Sequence, residues 1–135
     1  MPFTGNFTCD VFKTGLLDGT VDFGSGVFKI ALYTNSATLN ASTTVYTAVG
    51  EVVASGYTAG GEVITPTVSS DDGTSYVTFT NASWTAAITA RGALIYKVSG
   101  PAVCVLDFGS DKISTTTFTV EFPPNTSTAA LIRLS

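Results

Sequence analysis

Glu62-Val63-Ile64-Thr65-Pro66-Thr67-Val68-Ser69-Ser70-Asp71-Asp72-Gly73-Thr74-Ser75-Tyr76-Val77-Thr78-Phe79-Thr80 decides the fold class. β-Branched and aromatic residues alternate with polar ones on both sides of Asp72-Gly73, the pair best suited to a two-residue hairpin turn. Residues 63–69 therefore read as one strand. Pro66, which has no N–H to give a ladder, puts it at an edge or a bulge. Tyr76 to Thr80 reads as the strand that pairs back.

The same period continues outward. Ala93-Leu94-Ile95-Tyr96-Lys97-Val98 is a strand, Ser99-Gly100-Pro101 a turn, and residues 102–108 the next strand. Gly109-Ser110-Asp111-Lys112 reads as a further turn. Phe118-Thr119-Val120-Glu121-Phe122 alternates cleanly, and Ala130-Leu131-Ile132-Arg133-Leu134 closes the chain as a strand. Before the deciding stretch, Phe28-Lys29-Ile30-Ala31-Leu32-Tyr33 is a strong strand. The one helical pattern is residues 9–17, where Phe12 and Leu16 fall at i, i+4, Asp10 stands at the start and Gly19 at the end. The expected core includes Phe28, Ile30, Leu32, Phe79, Leu94, Tyr96, Val105, Phe118, Val120 and Phe122. About seven short strands separated by turn signals, with no strand–helix alternation, predict an all-β antiparallel sandwich, jelly-roll-like, with one short helix near the front. The expected organisation is a single domain over residues 1–135.

Residues 34–61 break the pattern. They carry loop signals, weak extended character and the run Gly56-Tyr57-Thr58-Ala59-Gly60-Gly61. A connection of this length in a compact domain is either functional or held by a partner. The second alternative makes Tyr57, with Tyr46, Gly60 and Gly61, the expected contacts with a neighbouring copy or shell. Aromatic anchors dominate interfaces, and glycine lets backbones approach.

Composition narrows the function classes. Ser and Thr fill roughly a quarter of the chain, in keeping with half-buried pleated surface. There is no histidine, so the commonest neutral-pH acid–base group and metal ligand is missing. The net charge is -4, with 12% of residues charged. The six Lys and Arg are scattered rather than clustered, which is no footprint for nucleic acid. A surface this poor in charge associates readily, and the expectation is an assembly, a homo-oligomer included. Cys9 and Cys104 form no Cys-x-x-Cys pair and are expected as buried free thiols. No stretch approaches the about 20 apolar residues that cross a bilayer. The Met1-Pro2-Phe3-Thr4 start has no signal-peptide pattern, so synthesis in the cytoplasm is expected.

The remaining motifs have mainly structural readings. Asp22-Phe23-Gly24 and Asp107-Phe108-Gly109 suit turns in which Asp binds local N–H groups. Asp71-Asp72-Gly73 lacks the spacing of a calcium loop. Arg91 and Asp107 can meet across neighbouring strands, as an ion pair or as part of a substrate contact. Tyr33, Tyr46, Tyr57 and Trp84 suit either core packing or stacking on a sugar. No catalytic, cofactor or metal set emerges.

Four strings carry a family resemblance: Phe28-Lys29-Ile30-Ala31-Leu32-Tyr33-Thr34-Asn35-Ser36-Ala37-Thr38-Leu39, Ser55-Gly56-Tyr57-Thr58-Ala59-Gly60-Gly61, Ala90-Arg91-Gly92-Ala93-Leu94-Ile95-Tyr96 and Val105-Leu106-Asp107-Phe108-Gly109-Ser110-Asp111-Lys112. In sequence and spacing they resemble a family of small virion proteins of tailed bacteriophages, over nearly the whole chain. The resemblance implies a non-enzymatic structural protein of the virion. A capsid decoration or cement protein bound to the major capsid protein is the first expectation. A tail or fibre component binding a host surface glycan is the alternative. It implies no cofactor.

Overall fold

A computed structural model describes residues 3–134. Met1 and Pro2, where the leader reading begins, lie outside the described residues, as does Ser135. The chain forms β1 (Phe7–Thr8), α1 (Asp10–Asp18), β2 (Phe28–Tyr33), β3 (Glu62–Ile64), β4 (Pro66–Asp71), β5 (Thr74–Phe79), β6 (Ala82–Trp84), β7 (Thr89–Lys97), β8 (Ala102–Ile113), β9 (Phe118–Val120) and β10 (Ile132–Leu134). All pairings are antiparallel: a five-stranded sheet in the order β1-β8-β7-β2-β3, a three-stranded sheet β10-β5-β4 and a pair β6-β9. The architecture is all-β and sandwich-like with one short helix, as the alternation predicts.

β2 is the centre of the fold. It pairs with β7 along its whole length, from Phe28 opposite Lys97 to Tyr33 opposite Gly92. Phe28, Ile30, Ala31, Leu32 and Tyr33 are buried, so both faces of the strand are covered. Each such large side chain contributes roughly 1.5–3 kcal/mol by leaving water. On one face Phe28 joins an aromatic cluster with Phe23 and Phe79, which Phe12 of α1 and Phe122 extend. On the other, Tyr33 and Tyr96 meet residues 34–61.

Helix α1 buries Phe12 and Gly15 and ends at Gly19, whose φ of 83° gives the left-handed C-cap that glycine adopts freely. Its N-cap is Cys9, with no side-chain cap bond. Asp10, expected as the cap, lies in the first turn and pairs with Lys13 at 3.5 Å. At the other end of the sheet, β1 borrows its partner from far along the chain: Phe7 faces Val105 and Thr8 faces Cys104.

Three expectations are corrected. Residues 63–69 are not one strand. β3 pairs with β2, whereas β4 starts at Pro66 and pairs with β5, so the chain changes sheets at Thr65. Gly109-Ser110-Asp111-Lys112 is no turn but the outer half of β8, whose Lys112 and Ile113 face Ala90 and Thr89 of β7. The glycine sits at φ 84° and its N–H donates to Asp107 Oδ1 at 2.8 Å, so a turn-like local bond is absorbed into the strand. Among the described residues the strands number ten rather than about seven, because β1, β6 and the β3–β4 break are too short to show a period. Of the expected core, only Phe122 stays half-buried; the other nine residues are buried.

Candidate functional site

Residues 34–61 fold back on the domain's own sheet. Within the segment the carboxylate of Glu51 is the organising group. It is 7% exposed and is the buried charged side chain among the described residues. It is also the one charged residue between positions 34 and 61. Tyr46 donates its hydroxyl to Oε1 at 2.5 Å. Tyr57 donates to Oε2 at 2.6 Å, and the Gly60 N–H donates to the same oxygen at 2.8 Å. Charge-assisted bonds of this kind are the strong ones, and a buried carboxylate needs them to offset its lost hydration.

Local structure brings these donors together. Tyr33 at the end of β2 forms an isolated bridge with Glu51, and the Val52 N–H donates to the Leu32 carbonyl at 3.0 Å. This stretch therefore lies as an extended edge beside the part of β2 that β3 leaves unpaired. Positive φ at Gly56, Gly60 and Gly61 then turns the chain back toward β3. The Tyr57 hydroxyl accepts the Leu32 N–H at 2.9 Å while donating to Glu51. Tyr96 of β7 donates to the Gly60 carbonyl at 2.6 Å and stacks on Tyr46, ring centroids 4.9 Å apart. Tyr33 donates to the Thr47 carbonyl at 2.6 Å. Burial first, and the nearby Glu51 carboxylate next, hold the Tyr33 and Tyr57 hydroxyls well above the ordinary tyrosine range. Tyr46 shifts the same way, through desolvation and its bond to Glu51. All three therefore stay protonated and able to donate.

The four residues expected at an assembly contact are thus brought together, but inward. Tyr57 is 9% exposed, Gly60 is buried, and Gly61 presses against the backbone of Ile30 and Ala31. Tyr46 is half-buried. The Tyr57 ring packs 5.9 Å from that of Trp84, and its hydroxyl is engaged within the protomer. The segment packs on the domain's own core. Glu51 was absent from the expected set, although a lone acid between two tyrosines in an uncharged stretch is a readable signal. What the segment turns outward is uncharged: exposed Ser, Thr and Asn side chains, with Val45, Val49 and Val53 at 56%, 75% and 97% exposure.

Two further places carry charged side chains in partly enclosed surroundings. Arg91 sits at a register shift of β7, and its Nε donates to Asp107 Oδ1 at 3.0 Å across to β8, both side chains nearly buried. The bond from Arg91 and that from the Gly109 N–H hold the Asp107 carboxyl below its ordinary range. The pair is an internal tie. An open cleft of about 480 Å³ lies between the outer half of β8 and β9, lined by Phe108, Lys112, Phe118, Val120 and Glu121 among others. Its one carboxylate has no second acid beside it in that lining, which two-carboxylate glycoside cleavage requires. Among the described residues no group of three His, Cys, Asp or Glu side chains is placed to hold a metal, and no helix is long and apolar enough to cross a membrane. Cys9 and Cys104 are free and buried. The chain matches no family model, no curated protein and no solved structure.

Proposed function

We propose that this chain is a non-enzymatic structural protein of a tailed-bacteriophage virion, a decoration or cement protein that docks on the major capsid protein and adds buried area to the head. One observation supports it most. The long segment buries its one charged side chain, Glu51, and leaves an uncharged outer face on which Val45, Val49 and Val53 stand among Ser, Thr and Asn. A surface segment folded to hide its only charge and show valines is suited to a broad, weakly charged contact. The four strings quoted above, with their resemblance to small virion proteins, support the same reading. The glycan-binding alternative draws less support, because Trp84, Tyr57 and Tyr33 are buried and Tyr46 is half-covered by Tyr96.

The test has two arms. Quantitative mass spectrometry of purified particles should find copies in proportion to the capsid lattice. Heads lacking the protein should rebind it from solution, and a Val49→Asp/Val53→Asp variant with an unchanged melting temperature should not rebind. A copy number matching a tail or fibre, or undiminished rebinding by the variant, would remove the proposal.

A further inference from the structure

Trp84 is 2% exposed, and its indole N–H has no hydrogen-bond partner among the described residues. A buried, unpaired donor of this kind is unfavourable. It lies beneath residues 45–61: the Tyr57 ring is 5.9 Å away, and a Cβ on Gly56 would come within 2.5 Å of the Thr85 carbonyl oxygen. The covering stretch has no helix or ladder of its own beyond the single Tyr33–Glu51 bridge. All three bonds to the Glu51 carboxylate come from within that stretch, from Tyr46, Tyr57 and Gly60. The carboxylate therefore sets the shape in which Tyr57 reaches the Leu32 amide and Gly60 meets Tyr96.

From these contacts we infer that residues 45–61 form a strap over Trp84, clasped by Glu51, which opens as a unit while the five-stranded sheet stays folded. Opening gives the Trp84 N–H access to water or to a partner's acceptor and uncovers Tyr57 beside it. Segments with few ladder bonds open locally at lower free energy than the core, and here one side chain holds the segment in the shape that lets Tyr57, Thr47 and Gly60 bond to the sheet. The inference is independent of the virion reading, since it concerns the isolated chain.

The experiment compares the full chain with Glu51→Gln. Gln keeps the shape of the side chain but turns one acceptor oxygen into an NH2 that faces a donor. Trp84 is the only tryptophan, so acrylamide quenching of its emission reports the strap directly. Amide exchange at Val52 and Gly60 reports the same opening, with the β7–β8 hairpin as internal reference. Loss of charge-assisted bonds should raise exchange at Val52 and Gly60 by about tenfold or more, with Trp84 quenching increased and the hairpin amides within about twofold of wild type. Tyr46→Phe, which removes one donor at a half-buried position, should show the same pattern at smaller amplitude, and it decides the matter if Glu51→Gln does not fold. An equal rise in the strap and the hairpin would mean that Glu51 only stabilises the whole domain, and would overturn the proposal. So would wild-type exchange and quenching in both variants, or in Tyr46→Phe alone if Glu51→Gln is unfolded.

Discussion

Replacing Gly61 with alanine tests whether the long segment lies against β2 as described. Gly61 has φ 84°. A Cβ there would run into the Ile30 carbonyl oxygen, 2.6 Å from the Ile30 carbonyl carbon and 2.8 Å from the Ala31 Cα. All three are backbone atoms of the central strand, which cannot swing away as a flexible side chain would. The left-handed conformation alone costs about 1–2 kcal/mol for a residue with a Cβ. Forcing extra volume into a packed site adds roughly 1–3 kcal/mol. Gly61→Ala should therefore destabilise by about 2–5 kcal/mol, a large part of the roughly 5–15 kcal/mol that holds a domain together. Gly73 supplies the control. Its φ is 80°, but nothing lies within 4 Å of its would-be Cβ, so Gly73→Ala carries only the conformational cost of about 1–2 kcal/mol. Urea denaturation of both variants, at an unchanged slope, isolates the contact as the difference between them. If Gly61→Ala lies within about 0.5 kcal/mol of Gly73→Ala, the segment does not press on β2, and the account of residues 34–61 is wrong.

Phe118, buried edge-on against Trp84 with ring centroids 6.3 Å apart, should cost about 3–5 kcal/mol on truncation to Ala by the same denaturation assay. A loss below about 1 kcal/mol would mean that β9 presents its other face. Because the folded Asp107 carboxyl is held low, chiefly by Arg91, its contribution is complete above the unfolded aspartate value of about 3.9 and disappears as pH falls through the lower folded value. Arg91→Ala should therefore flatten the acid limb of stability against pH, and an unchanged limb would contradict the tie. Burial pushes the Cys9 thiol up to about 11 and that of Cys104 higher still. Neither should react with iodoacetamide in the folded protein near neutral pH, and both should react in denaturant. Rapid labelling of the native chain would show that one of them is not buried.

The parts of this fold that were legible in the sequence are those where one physical cause acts locally. The period of two in β5 and β9 follows from one buried face, the apolar runs of β2 and β7 follow from burial on both, and the Asp72-Gly73 turn follows from two positive φ angles, 51° and 80°. The paired Arg91 and Asp107 were also foreseeable, from their place between apolar runs. What escaped is pairing choice. Thr65-Pro66 reads as a bulge or an edge in any single strand. Nothing local says that Val63 joins Lys29 while Val68 joins Val77. Gly109-Ser110-Asp111-Lys112 carries turn residues, yet pairing with Thr89 and Ala90 overrides them. At the site, a tyrosine among glycines gives the same sequence signal whether the close approach is to a neighbour or to the chain's own backbone. Direction was settled by Glu51, whose burial depends on donors gathered from Tyr46, Tyr57 and Gly60, and no single spacing encodes that.

The pairing of β1 with β8 has a consequence for synthesis. The Asp107 N–H donates to Asn6 Oδ1 across 101 residues of chain, and the Cys9 N–H donates to the Val103 carbonyl. At about 5–20 residues per second of translation, the front of the chain waits several seconds before its partner strand exists. The β7–β8 hairpin, by contrast, is nearly self-contained and can close soon after it emerges. Until then Phe3 and Phe7 have no sheet to cover them. Phe3 and Phe7 are made long before the strand that covers them, so a mutation that slows the β7–β8 hairpin lengthens the time those two rings spend in water and should surface as aggregation during expression before it appears as a lowered melting temperature.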